Sequence, residues 1–397
     1  MIRSAALPGL ALLAAAWSAA PAIAQGEESQ NPPPLPATST VNSQSGPIRV
    51  DVIARGLVHP WGLALLPDGR ALVTERNDGR PRIVGRDGRL SAPVAGMPPV
   101  FRFVGITPRS QSGLFDIKLH PNFARNRQIY LSFSAPTERG ASVRVVRARL
   151  AEAGGSSRLE NLQTVFEMQE DDQDSSGLHF GGRMAIAPRD NALFLSIGDR
   201  RNISRSQDKE DQAGSILRMT LDGQAHSANP SRRDAGTNNF IFASGSRNSQ
   251  ALALDAEGRL WSIEHGPQGG DRVDLVRPGV NLGWPFISAG PDYSDAPIGV
   301  GTSRQGMQSH VFEETVAPSG AIFYRGAMFP AWSGNLLVGG LAIESLMRLT
   351  IQGERVAGVE KIDIGRRIRD VELAADGSIW LITEHEDGEL LRLTRVR

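Results

Sequence analysis

One phrase recurs along the whole chain and restricts its fold more than any other feature: a glycine and small apolar residues, a short turn, then an apolar strand ending in a polar side chain. The copies are Trp61–Glu75 (WGLALLPDGRALVTE), Gly113–Pro121 (GLFDIKLHP) with Ile129–Ser132, and Gly182–Pro188 (GRMAIAP) with Ala192–Ser196. Three more are Ala251–Glu264, Gly320–Tyr324 with Asn335–Val338, and Arg369–Glu384. In the copies that contain Asp-Gly, Asp caps its own backbone and Gly accepts positive φ without steric cost, which marks a turn between two strands. The copies start about 50 to 70 residues apart, the range of four-stranded propeller blades carrying insertions. Six copies predict an all-β, six-bladed β-propeller. Two packed sandwiches would also suit the length, but they give no reason for six spaced copies of one phrase.

A propeller closes by pairing a strand from one terminus with the opposite end, which removes its open edges. The alternating segment Ile48–Ala54 is expected to complete the blade that ends at Leu390–Leu393. Ahead of it, Arg3 precedes an Ala/Leu-rich run (Ala5–Ala16), and Ala22-Ile23-Ala24 is a small-x-small cleavage signal. This reads as a secretory signal over residues 1–24, removed after Ala24, with export to the periplasm. The apolar run is shorter than the roughly 20 residues of a membrane span. Residues 25–47 are rich in Pro, Ser, Thr, Gln and Asn and are expected to form a flexible leader before a single catalytic domain over residues 48–397. Lys plus Arg (43) equal Asp plus Glu (43), which argues against a nucleic-acid or acidic-membrane binder. There is no cysteine, and therefore no disulfide or thiolate metal site.

Chemistry concentrates between Gly177 and Arg200. The stretch GLHFGGR (177–183) is followed twenty residues after its histidine by Ile197-Gly198-Asp199-Arg200, so loops on one rim would bring together a base, a carboxylate and an arginine. On the residues alone, a histidine with a purely structural hydrogen bond is equally open.

Several further motifs stand in order over the mature chain: Pro60-Trp-Gly-Leu63, His179–Arg183, Glu264-His-Gly-Pro-Gln-Gly-Gly-Asp271, Gly283-Trp-Pro285, Ala317–Gly320 and Arg367-Ile-Arg-Asp370. With them the chain, from about Val50 to Leu393, resembles the soluble quinoprotein aldose sugar dehydrogenases, also described as glucose/sorbosone dehydrogenases, which use pyrroloquinoline quinone (PQQ). The resemblance implies a six-bladed propeller with the cofactor at one end of the central channel, and oxidation of an aldose at its anomeric carbon to the lactone. His179 matches the family's general base, and Asp199 the carboxylate that orients it; a neutral imidazole suits that task because it titrates near working pH. Arg247 and Asn248 match the pair beside the quinone. Arg367 and Arg369 match the pair that binds cofactor carboxylates, where guanidinium forks fit the geometry. Gly266 and Pro267 match backbone carbonyls that hold Ca²⁺. Gln111 matches a polar residue near the sugar pocket, and Asp292 a ligand for a second, structural Ca²⁺ in some members. The implied partners are a small-molecule sugar and an external electron acceptor.

The chain also departs from the family. Where Gly-His-Arg-Asn-Pro-Gln-Gly is common, it has GSRNSQA (245–251), and Ala342 occupies the place of a lysine that reaches the cofactor in glucose-oxidising members. A Ca²⁺-dependent propeller lactonase or esterase is one alternative, but it needs side-chain carboxylates and asparagines converging on the channel. A non-catalytic binding propeller is another, and it gives no reason to keep His179, Asp199, Arg247, Arg367 and Arg369 together.

Overall fold

The computed structural model describes residues 32–104, 110–232, 236–301 and 309–396. The expected signal segment 1–24 and leader residues 25–31 lie outside the described residues.

Strands β1 (Thr38–Ser43) and β2 (Gly46–Leu57) precede the first blade, which is β3 (Pro60–Leu65), β4 (Ala71–Glu75) and β5 (Arg80–Val84). The second blade comprises β6 (Leu114–Leu119), β7 (Gln128–Thr137), β8 (Gly140–Ala153) and β9 (Ser156–Glu167). Then follow β10 (Met184–Ala187), β11 (Ala192–Ile197), β12 (Ser215–Thr220) and β13 (Ile241–Ser244) in the third, and β14 (Ser249–Leu254), β15 (Leu260–Glu264), β16 (Arg272–Val276) and β17 (Ser309–Val311) in the fourth. The fifth holds β18 (Pro318–Phe323), β19 (Leu336–Gly340), β20 (Ser345–Gln352) and β21 (Arg355–Asp363); the sixth holds β22 (Ile368–Leu373), β23 (Ile379–Thr383) and β24 (Gly388–Arg395), and takes in β2 and β1. This is the six-bladed β-propeller that the repeated phrase predicts. Each copy of the phrase is the first hairpin of one blade. The first strands touch in a closed circuit, β3 to β6, β10, β14, β18, β22 and back to β3, so they surround the channel.

The Asp-Gly turns sit where the sequence places them. Gly69 and Gly377 have φ of 85° and 84°, and the Asp68 and Asp376 carboxylates accept the N–H of Arg70 and Ser378 at 3.1 and 2.9 Å. Between blades the sheet faces are apolar on both sides. Trp61, Phe115, Phe180 and Ile197 share one core cluster, and Ile48, Tyr324, Trp332 and Leu391 share another.

Closure follows the expected pairing, with Ile48 opposite Arg395 and Val50 opposite Leu393. The leader is shorter than expected, because residues 38–43 form β1, with Val41 opposite Ile48, as a fifth strand on this blade. Its composition is polar, yet strand addition to a bare edge is driven by backbone hydrogen bonds. Side chains then pin it: Trp332 Nε1 donates to Ser45 Oγ at 3.1 Å and Arg348 donates to Gln44 Oε1 at 3.3 Å. Among the described residues no helix is long and apolar enough to cross a membrane.

Candidate active site

At the end of the channel where β3 begins, residues from all six blades face a cavity of about 230 Å³, lined by Trp61, Arg76, Gln111, Phe180, Gly181, Asn248, Gln250, His265, Arg367, Arg369 and Glu384 among others. A cleft of about 810 Å³ opens at the opposite strand ends, around turns 66–69 and 374–376, but its Arg70 and Arg392 are paired with Asp68 and Asp376.

His179 stands in the crossing from β9 to β10 with φ of 49°, a left-handed conformation that a non-glycine residue adopts only when its surroundings hold it there. Its N–H donates to Gln111 Oε1 at 2.7 Å, and its Nδ1 lies 2.6 Å from Asp199 Oδ1. An ionised carboxylate only accepts, so Nδ1 carries the proton and Nε2 keeps its lone pair. Burial, reinforced by the Arg247 charge, pushes the imidazole down to about 4, and the bond to Asp199 offsets only part of this. The ring is therefore neutral at physiological pH. Against the effect of burial, the hydrogen bond from His179 and the charge of Arg247 hold the Asp199 carboxyl below its usual value.

The backbone leaves no room to spare at this pair. A Cβ on Gly198 would lie 2.3 Å from the His179 carbonyl oxygen. Gly198→Ala should therefore displace the histidine turn and cost about 1–3 kcal/mol, with a loss of turnover larger than any loss of sugar affinity. Urea unfolding and steady-state kinetics check this, and wild-type values for both would show that the turn is free to move.

The structure brings Gln111, Asn248, Arg367 and Arg369 to the cavity wall. Asn248 Oδ1 accepts from the Gly181 N–H at 3.1 Å, which ties the Arg247-Asn248 loop to the histidine turn. Arg247 Nη1 donates to the His265 carbonyl at 3.2 Å and Nη2 to the Tyr293 hydroxyl at 3.1 Å. The arginines in the GLHFGGR and IGDR motifs take other roles. Arg200 turns back to Asp174 at 3.1 Å and lies 3.6 Å over the Phe180 ring; Arg183 lies 3.8 Å over the Trp61 ring. The guanidiniums whose charges bear on His179 are Arg247 and, less strongly, Arg201.

Gly266 and Pro267 line a separate recess of about 10 Å³ together with Arg247, Glu264 and Trp284. The loop is closed by Asp271, whose Oδ1 accepts the Gly266 N–H at 2.8 Å and whose Oδ2 accepts the N–H of Val316 and Ala317 at 2.8 and 2.7 Å. Asp292 lies on the turn 291–296, where Ser294 Oγ donates to its carboxylate at 3.0 Å and the backbone N–H groups of Tyr293 and Ser294 hold it below its usual value. Among the described residues, no group of three or more His, Asp or Glu side chains is placed to hold a metal.

Sequence reasoning missed Arg76, Glu384, His265, Trp284 and Tyr293. Glu384 gathers three guanidiniums: Arg76 at 3.2 Å, Arg367 at 3.3 Å, and Arg369 in close contact. Burial alone would raise its carboxyl, but Arg369, Arg76 and Arg367 together hold it well below the usual carboxylate range. The available signal was the polar residue that ends each phrase, since Glu75, Glu264 and Glu384 all fall there. Ala342 is exposed; the third cation on the cavity wall is Arg76.

The family model described as Glucose / Sorbosone dehydrogenase matches residues 57–392. The chain belongs to the glucose/sorbosone dehydrogenase family. It is 33% identical to the aldose sugar dehydrogenase YliI of Escherichia coli over 355 residues, covering 87% of this chain and 93% of that protein. The crystal structure of the soluble Escherichia coli aldose sugar dehydrogenase in its apo-form superposes with a TM-score of 0.80 at 32% identity, over 87% of this chain and 99% of that one. The PQQ-bound aldose sugar dehydrogenase of Streptomyces coelicolor superposes with a TM-score of 0.68 at 27% identity, over 87% and 98% of the two chains. Membership of this family makes the chain a sugar dehydrogenase, an oxidoreductase whose substrate is a small sugar.

Proposed function

We propose that this protein oxidises an aldose at its anomeric carbon to the lactone, using PQQ and Ca²⁺, with His179 as the general base. The observation that carries the reading is a buried, neutral His179 imidazole bonded to the Asp199 carboxylate, beside a cavity walled by Arg76, Arg367 and Arg369. The donor set suits PQQ, which bears three carboxylates. Arg369 Nε is buried without a hydrogen-bond partner, and burial pulls this guanidinium down to about 10, so the cavity holds cationic charge that Glu384 alone does not satisfy. The naming of the Streptomyces coelicolor structure as PQQ-bound, and of an Acinetobacter calcoaceticus relative at 24% identity as a quinoprotein glucose dehydrogenase, supports the same cofactor.

In this mechanism His179 Nε2 takes the proton of the anomeric hydroxyl, and Asp199 keeps the acceptor nitrogen turned toward the sugar and stabilises the imidazolium that forms. When bound, PQQ supplies the electrophilic carbon that accepts the hydride. Arg367, Arg369 and Arg76 would hold its carboxylates, while Arg247 and Asn248 would sit beside its quinone oxygens. Among the described residues no hydrogen bond is made to the Gly266 or Pro267 carbonyls, which leaves these hard oxygen donors for Ca²⁺. Two neutral carbonyls bring no charge, so the cation would depend on the anionic cofactor as well. Electrons would pass to an external acceptor, and the signal-like segment 1–24 supports export to the periplasm.

The test is reconstitution. Purified protein stripped of PQQ and Ca²⁺ should be inactive in dye reduction with a panel of aldoses and regain activity when both are added, and chelation should abolish it again. Full activity with NAD or flavin and no PQQ would sink the reading.

A further inference from the structure

Asp199 accepts more than the histidine. Its Oδ1 takes the Nδ1–H of His179 at 2.6 Å and the backbone N–H of Arg201 at 2.8 Å, and its Oδ2 takes the indole Nε1–H of Trp284 at 2.9 Å. Trp284 is almost completely buried. It reaches Asp199 from the fourth blade, 85 residues along the chain, and its ring lies 5.5 Å from the Arg247 guanidinium. Arg247 also donates to the Tyr293 hydroxyl, and the Tyr293 ring lies 5.2 Å from the Arg201 guanidinium. One indole therefore joins the carboxylate behind the base to the guanidinium proposed to face the cofactor.

We infer that Trp284 is a positioning residue for the reaction: its N–H fixes the Asp199 carboxylate in rotation and strength, and its ring face seats Arg247. With Oδ2 held by the indole, Oδ1 is left aimed at His179, and the carboxylate cannot turn to offer the imidazole a different edge. An indole N–H also draws charge from the carboxylate, so it weakens the pull of Asp199 on the imidazole proton. The charged groups facing this pair are Arg247 from the loop after β13, and Arg201 and Arg200 from the loop after β11; Arg200 is held by Asp174. None is altered by a change at position 284 that keeps a ring. The inference rests on the reading of His179 as the base.

Trp284→Phe keeps a ring beside Arg247 and removes the donor. The His179 imidazole, followed by NMR in isotope-labelled protein without cofactor, should then titrate higher by about half a pH unit or more. In the reconstituted enzyme the acid limb of kcat/KM should move the same way, and kcat should fall several-fold to about ten-fold while KM for the sugar holds. In the unsubstituted protein, the Trp284 indole proton should exchange slowly with solvent, which tests the bond should Trp284→Phe not fold. An unmoved His179 titration and pH profile in Trp284→Phe, or a rapidly exchanging Trp284 indole proton, would overturn the inference. A failure of the base reading looks different: His179→Gln would keep its turnover while the cofactor-free titration in Trp284→Phe still shifted.

Discussion

Replacing His179 by Gln should lower sugar-oxidising turnover by about 10²- to 10⁴-fold while PQQ affinity changes little, because the amide keeps much of the volume but cannot accept the proton. Asp199→Asn should lower it through the wrong imidazole tautomer and a poorly stabilised imidazolium. The two losses should be far from additive in the double variant, since both act through one proton transfer. The pH dependence has a definite sign. The Asp199 bond raises an imidazole that burial has pushed down to about 4, so its loss should move the acid limb of kcat/KM to still lower pH. The native imidazole also binds its proton less readily than the unfolded one, whose ordinary value is 6.5. Stability is therefore whole above pH 6.5 and is lost as the pH falls toward 4, by up to about 3 kcal/mol from this one group. His179→Gln should escape that part of the acid sensitivity, measurable as the difference between two urea titrations. Wild-type turnover in His179→Gln with PQQ bound would remove this histidine from the mechanism.

Arg183→Met should destabilise the fold by about 3–5 kcal/mol, the cost of breaking a buried ion pair from one side. Arg183 is 2% exposed and sits below the cavity, where Nε donates to the Gln250 carbonyl and Nη2 to the Arg369 carbonyl, both at 2.8 Å. Its Nη1 is 3.0 Å from Asp370 and 3.7 Å from Asp116, near enough for charge attraction but off the hydrogen-bond line. These carboxylates have their own tasks: Asp370 Oδ2 accepts the Leu63 N–H at 2.9 Å and Asp116 Oδ2 the Met184 N–H at 2.8 Å, so they tie four first strands around the channel, β22 to β3 and β6 to β10. Burial pushes the Asp116 carboxyl up, with Lys118 and Arg183 opposing it. Without Arg183 the folded carboxyl would rise further, so the destabilisation should grow as the pH climbs above the unfolded value. Chemical unfolding at pH 5 and pH 7 checks this. A loss below about 1 kcal/mol at both would mean that methionine packing against Trp61 replaces the pair.

The propeller was legible because its six hairpins carry one phrase, and Ile48–Ala54 could be matched to Leu390–Leu393 because both alternate. Strand β1 was not, since TSTVNS holds one apolar residue and its pairing rests on backbone groups that side-chain patterns do not report. At the site, His179 and Asp199 were visible because they flank one hairpin, and the arginines and asparagine through a resemblance. Arg76 and Glu384 lie 308 residues apart, and Trp284 and Asp199 85, so nothing in chain order links them. The arginines of the most conspicuous motifs misled for a related reason: a guanidinium is long enough to point back into its own loop, as Arg200 does, or down the channel, as Arg183 does.

The pairing of β2 with β24 also dictates an order of events during synthesis. Residues 38–57 leave the ribosome first among the structured segments, and their partners, residues 388–395, leave it last. Blades one to five can each form from neighbouring sequence, whereas the sixth waits for the complete chain and then bears the entropy of closing the largest loop in the molecule. Until that moment the inner strands have no closed channel to surround, and Arg367 and Arg369 are not yet opposite Arg76. The cationic pocket is thus the last part of the molecule to exist, and a chain cut short by even its final strand would carry every other blade without a site for its cofactor.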